Sequence, residues 1–264
     1  MNGRNSTLLA ASSLCKRELV RFYRQRSRIV GVIGSPLLFW FLIGSGLGSS
    51  FRHPTGLSEM SYLEYFFPGT IVLIVLFTSI FSTISIIEDR HEGFLQSVIV
   101  APVSRSGIAL GKILGGTALA FLQAILMLLV SPFIGITWSI ASAAVVLAII
   151  FCISFGLTGL GFLIAWKMDS TQGFHAIMNL FLIPLWLLSG ALFPASGAAG
   201  WLSRVMMINP LSYGLAALRE GLYLTGNPVT AEFVSLPVAV MVTVGFALLT
   251  FTLSVVIVQK TTTA

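Results

Sequence analysis

Residues 113–166 read ILGGTALAFLQAILMLLVSPFIGITWSIASAAVVLAIIFCISFGLTGLGFLIAW, 54 consecutive positions without Asp, Glu, Lys or Arg. At a rise of about 1.5 Å per residue, one helix of that length would be more than twice as long as the roughly 30 Å hydrocarbon core of a bilayer is thick. Ser131-Pro132 and Gly135 interrupt it, so the stretch predicts two membrane-crossing helices with a tight turn at about residues 131–139. Working outward, runs free of those four residues occupy 29–51, 65–87, 174–193 and 233–259. Each suits one crossing, the first kinked near Pro36 and the fifth ending at Pro194. The expected spans are therefore 29–51, 65–87, 108–131, 139–166, 174–193 and 233–259. The alternating segments of about ten residues that a closed barrel requires do not occur.

Composition agrees. Of 264 residues 56% are hydrophobic and 9% charged, with a mean hydropathy of +0.96. A soluble domain carries roughly 25% charged residues, and disorder requires high charge with few apolar residues, so lipid is the expected solvent. The net charge of +6 is concentrated: seven of the fifteen basic residues precede position 29, as expected for a membrane surface and not for nucleic acid. Cys15 and Cys152 fall at different depths, which excludes a disulfide framework, and the isolated His53, His91 and His175 offer no metal cluster. Placing the N terminus in the cytoplasm assigns twelve basic residues to the inner side and leaves Arg52, Arg204 and Arg219 outside. Both termini are then expected to be cytoplasmic. The first span is longer than a signal-peptide core and five more follow, so it is read as a retained helix.

Three segments outside the spans carry information. Between residues 8 and 28, Leu8, Cys15, Leu19 and Phe22 form a stripe opposite Arg17, Arg21, Arg24 and Arg28. This pattern predicts an amphipathic helix at the membrane surface, its arginines facing lipid headgroups or an acidic partner. Between spans two and three, in the loop 88–107, the cluster Glu88, Asp89, Arg90, His91 and Glu92 precedes Phe94, Leu95, Val98 and Ile99, one face of a short surface helix that Pro102 would stop. In the outward segment 195–232, Asn209-Pro210 supplies an N-cap with proline at the first helical position. That signal predicts two short helices, 201–208 and 211–223, that dip into the outer leaflet and return, with Arg219 and Glu220 at headgroups or paired.

The motifs F-x-P-G-T at 66–70, E-G-x-L-x-x-x-x-x-A-P-V-S at 92–104, Gly111-Lys112, L-S-G-x-L-F-P at 188–194 and N-P-L-S-Y-x-x-x-x-L-R at 209–219 follow one another in that order. In this arrangement the chain resembles the ABC-2 type permeases, the membrane subunits of ABC exporters of drugs, lipids and polysaccharides. The resemblance covers nearly the whole chain. It implies an all-α integral membrane domain of six transmembrane helices, with an N-terminal interfacial helix, a cytoplasmic coupling helix and a re-entrant outward helix pair before the last span. It further implies a homodimer in the bacterial cytoplasmic (inner) membrane, seated on two copies of a separate ATPase. ATP and Mg would be bound by that partner, and no cofactor or metal by this chain. By position, Arg17, Arg21, Glu92, Gly93, Leu95 and Pro102 would belong to the ATPase-coupling region, and Glu88, Asp89, Arg90 and Phe94 join them from the charge cluster and the short helix. Asn209, Pro210, Tyr213, Arg219 and Glu220 form the outward motif.

No G-x-x-x-x-G-K-[ST] phosphate loop occurs, so the chain is expected to be a non-catalytic transducer driven by a partner's ATP hydrolysis. An intramembrane hydrolase would need Ser189 and His175 together, yet they stand about 21 Å apart along one helix. An ion-coupled secondary transporter would need ionisable groups central in the spans, and the runs lack them. The expected cargo is amphipathic, lipid-like or drug-like, with a polysaccharide or lipid-linked glycan as the alternative. Ser, Thr, Asn179, Gln123 and aromatic side chains are the expected lining of the pathway, and Gly111 and Gly115 the expected site of close helix packing.

Overall fold

A computed structural model describes residues 3–24, 26–47, 61–101, 103–137, 139–195, 198–224 and 234–260. Among these residues the fold is helical throughout, without strands. The order is α1 (Gly3–Arg24), α2 (Arg26–Leu47), α3 (Tyr62–Ser82), α4 (Ile84–His91), α5 (Phe94–Val100), α6 (Arg105–Leu128), a 3-10 turn (Ser131–Ile134), α7 (Ile140–Lys167), α8 (Thr171–Leu187), α9 (Gly200–Ile208), α10 (Pro210–Leu222) and α11 (Leu236–Lys260).

Local chemistry sets the boundaries. Ser61, Ser104, Ser139 and Ser170 each accept a hydrogen bond from the backbone N–H three residues on, capping α3, α6, α7 and α8. Asn209 does the same for α10 from Leu211 N–H, with Pro210 in the first helical position. The expected turn after span three is present, and Gly135, at φ +86°, closes it in the left-handed region.

Among the described residues, four helices are long and apolar enough to cross a membrane: Tyr62–His91, which is α3 continued through Thr83 into α4, then α6, α7 and α11. The other two expected spans correspond to α2, whose stretch Pro36–Gly46 is apolar, and to α8, which has 17 residues and contains Pro184. The expected fifth span reaches 193, but the helix ends at Leu187 because the chain turns at Gly190, φ +89°. The amphipathic helix ends at Arg24 and not at 28, since Arg26 already opens α2.

The apolar Tyr62–His91 helix is the centre of the bundle, 78% of its apolar window being buried, whereas α11 lies at the edge with 22%. Phe66, Phe67, Ile71, Leu76, Ile80 and Ile87 are completely enclosed. Small residues let the helices close on one another. At Gly156 a Cβ would stand 2.7 Å from the Phe246 ring of α11. At Gly111 it would stand 2.8 Å from both the Ala11 carbonyl oxygen and Leu14 Cβ of α1.

Candidate functional site

The two ends of this bundle are built from different chemistry. At one end α1 lies along α6, its residues Thr7, Ala11, Leu14 and Glu18 facing Gly107, Gly111 and Gly115. The face of α1 turned to the bundle is thus the small, partly polar one: Ala11, Leu14 and Glu18 are buried while Leu8 is 63% exposed. This contact carries Glu18 and Arg17 to the end of α4, and an ionic cluster forms where α1, α4 and α6 meet.

Asp89 is its centre and is fully enclosed. Arg17 grips it with both terminal nitrogens, Nη1 to Oδ2 at 2.8 Å and Nη2 to Oδ1 at 2.7 Å. Arg21 Nη1 adds a third donor at 3.2 Å and sends Nη2 to Glu88 at 2.8 Å and Glu92 at 3.6 Å. From α6, Lys112 donates to Asp89 Oδ2, to Glu18 Oε1 at 2.6 Å and to Ser85 Oγ at 3.3 Å. A lysine that deep in a helical bundle is stable only because two carboxylates and a hydroxyl surround it. The hydrogen bond to Asp89 raises the Arg17 guanidinium further above its ordinary pKa, so this partner stays charged at any working pH. Burial, with Glu18 adding to it, likewise pushes the Cys15 thiol up.

The short helix α5 leans on this cluster. Its first residue, Phe94, holds its ring 3.8 Å below Arg17 Cζ, and Leu95 is buried. Gly93, at φ +74°, makes the left-handed step between α4 and α5 that a side chain would strain. Arg105 Nη1 holds the far end of α5 through the Ile99 carbonyl at 2.5 Å. Arg90 points the other way and secures the α7–α8 junction: Nη2 donates to Trp166 O at 2.5 Å, and Nη1 to Met168 O at 3.1 Å and Asp169 at 2.8 Å. Gln96, Ser97 and Val100 are left exposed on the outer side of α5.

At the opposite end the ties run from aromatic and other side chains, Arg219 among them, to main-chain carbonyls. Tyr65 Oη donates to Gly190 O at 3.1 Å, and Arg219 Nη2 donates to the same carbonyl at 3.2 Å with its Cζ 4.2 Å from the Tyr65 ring. Trp186 Nε1 donates to Gly69 O at 2.8 Å, Asn209 Nδ2 to Leu185 O at 2.7 Å, and Tyr213 Oη to Met207 O at 2.8 Å. The α9–α10 pair is thereby fastened to the turn that follows α8.

The residues singled out in the sequence thus fall into two groups. Arg17, Arg21, Glu88, Asp89, Glu92, Gly93, Phe94 and Leu95 converge at one end, with Arg90 directed to the neighbouring junction. Asn209, Pro210, Tyr213, Arg219 and Glu220 stand at the other end. Pro102 lies outside the described residues. Two central members, Glu18 and Lys112, were absent from the expected set. Lys112 lies near the start of the expected third span, and in the structure it sits inside α6 with its side chain 3% exposed. The signal that could have exposed it was the spacing of Gly107, Gly111 and Gly115, which marks that face as a packing surface.

The class defined by this architecture is an all-helical membrane protein without a nucleotide-binding motif of its own, its helices fastened by charge at one end and by aromatic side chains at the other. The chain belongs to the ABC-2 type transporter family, whose pattern it matches over residues 10–223. It is similar to the transport permease ycf38 of Cyanophora paradoxa, 29% identical over 78% of this chain and 71% of the relative. It is also similar to the daunorubicin resistance ABC transporter permease protein DrrB1 of Streptomyces coeruleorubidus, 24% identical over 77% and 71%. A third relative is the linearmycin resistance permease protein LnrN of Bacillus subtilis, 27% identical over 58% of this chain and 39% of that one.

Proposed function

We propose that this chain is the transmembrane subunit of an ATP-driven exporter that moves an amphipathic, drug-like or lipid-like cargo out across the bacterial cytoplasmic membrane. In this reading α2, α3–α4, α6, α7, α8 and α11 are its six spans, and two copies pair around the pathway. Both termini and α5 lie on the cytoplasmic side, and α9–α10 forms the re-entrant outward pair. A separate ATPase, in two copies with their ATP and Mg, docks on α5 and the adjoining part of α1.

The observation that carries the reading is the ionic cluster. Arg17, Arg21, Asp89 and Lys112 join α1, the end of α4 and the start of α6 beside Phe94 of α5, so a push on α5 is delivered to three helices together and not absorbed by a loop. The absence of a phosphate loop assigns hydrolysis to the partner. The drug-like cargo is supported by relatives named for daunorubicin and linearmycin resistance.

Purification of the tagged chain from its native membrane in mild detergent, followed by mass spectrometry and an ATP-hydrolysis assay, tests the reading. A stoichiometric ATPase partner is expected. A chain that carries no nucleotide-binding partner even after crosslinking overturns it. A reporter cysteine at Ser203 is expected to label from outside the cell, and labelling only after the inner face is opened reverses the topology.

A further inference from the structure

Between the two fastened ends the bundle contains a polar pair that its neighbours do not satisfy. Gln123 of α6 is 4% exposed and Thr78 of α3 is 6% exposed. The Thr78 hydroxyl donates to Gln123 Oε1, which fixes the orientation of the carboxamide. Its donor, Nε2, is buried and has no hydrogen-bond partner among the described residues. Along α6 Gln123 is eleven residues beyond Lys112, about 16 Å at helical rise, so the orphan donor lies well inside the apolar part of the helix and away from the ionic cluster. A buried donor in such surroundings is retained at a cost unless something supplies an acceptor.

The Gln123 side chain also lines a small cavity. A cavity of about 20 Å³ is lined by Gln123, Leu37 of α2, Ile74 of α3, and Leu126 and Met127 of α6. It is large enough for one oxygen-sized group. Water in a protein interior makes two to four hydrogen bonds, and four of the five lining side chains are apolar. The lining suits an oxygen that accepts one hydrogen bond and is carried on an apolar body. Two of its lining residues reach the bundle surface, Leu126 being 41% exposed and Leu37 half-buried.

We propose that Thr78 and Gln123 form a single-oxygen binding site, in which Thr78 orients the carboxamide and Gln123 Nε2 donates to a ketone, ester or ether oxygen of an amphiphile lying between α2 and α6. The proposal rests on reading the chain as a permease for amphipathic cargo and names a chemical requirement on molecules that occupy this crevice: an acceptor oxygen flanked by hydrocarbon. A free amphiphile and the acyl ester of a bilayer phospholipid share that chemistry.

The test uses the full chain, labelled with ¹⁵N in its glutamine side chains and held in dodecyl maltoside, and needs no ATPase, so it can fail independently of the coupling reading. The Gln123 amide signal is assigned by its loss in Gln123→Leu, or by elimination with Gln25→Ala, Gln96→Ala, Gln172→Ala and Gln259→Ala if that variant does not fold. The probes are 2-undecanone, undecane and diacyl phosphatidylcholine. A downfield shift of the Gln123 amide protons with the ketone and not with undecane is expected. A shift with the ketone alone assigns the site to free amphiphiles, and a shift with phosphatidylcholine as well assigns it also to bilayer esters. Magnetisation transfer from water with no response to the ketone makes it a water site only and overturns the proposal, as does a signal that responds to none of the three.

Discussion

The two ends of the bundle achieve the same task, holding short helices against long ones, by opposite means. At the α1–α4–α6 end the ties are charged and shared: Asp89 accepts four hydrogen bonds from Arg17, Arg21 and Lys112, and Lys112 serves Glu18 and Asp89 together. At the α3–α8–α10 end they are hydrogen bonds to main-chain carbonyls from the neutral Tyr65, Trp186 and Asn209, with the Arg219 guanidinium sharing the Gly190 carbonyl, beside packed rings such as Tyr62 and Phe66, which stack at 5.7 Å. Removing one group from a shared buried ionic cluster leaves charges without partners, whereas removing one neutral donor leaves a carbonyl that often has another. The charged end is therefore the brittle one. Brittleness suits a place where displacement must be transmitted as a unit, while the neutral end tolerates local adjustment.

The comparison makes graded predictions. Lys112→Met takes from Glu18 its 2.6 Å partner, leaving the longer Arg17 contact at 3.7 Å, and takes one donor from Asp89; it should cost about 3–5 kcal/mol, seen as a large fall in the thermal denaturation midpoint of the purified chain. A variant as stable as the parent would show that the cluster is solvated and would break the contrast. Gly111→Leu should lift α1 from α6 through its clash with Ala11 and Leu14, and limited trypsin treatment should then cut at Lys16–Arg24 much faster. Gly245→Ala, where a Cβ meets nothing within 4 Å, is the matched control and should stay within about 0.5 kcal/mol of the parent. Tyr65→Phe at the neutral end should cost only about 1 kcal/mol, because Arg219 still donates to Gly190 O. The smallest effect concerns Cys15: its raised pKa leaves less thiolate, so alkylation at pH 8 should be slower than for a free thiol. In Lys112→Met, with α1 loosened, that rate should rise.

What the sequence disclosed follows from the range of the forces involved. Local signals were readable: Asn209-Pro210 announced α10 to within one residue, and Ser131-Pro132 with Gly135 announced the turn before α7. The side of α1 that meets the bundle was not. Periodicity selects the most apolar stripe, Leu8, Cys15, Leu19 and Phe22, whereas the packed face is Ala11, Leu14 and Glu18, chosen by the glycines opposite it on α6. The ionic cluster was hidden for a similar reason. Arg17 and Asp89 are 72 positions apart, and a tally of charges by loop assigns both to one side of the membrane without showing that they pair. Lys112 falls within the expected third span, 108–131, but its partners Glu18 and Asp89 stand on two other helices, 94 and 23 positions away.

The most direct test of the central claim, that α5 and the ionic cluster together pass the ATPase's motion to the spans, is ATP hydrolysis and transport measured side by side on the permease–ATPase complex in vesicles. The variant combines Glu92→Ala with Gly93→Pro, since proline cannot adopt the φ of +74° that joins α4 to α5. The account predicts normal insertion and ATPase binding with hydrolysis no longer linked to transport. Transport-linked hydrolysis unchanged from the parent would contradict it.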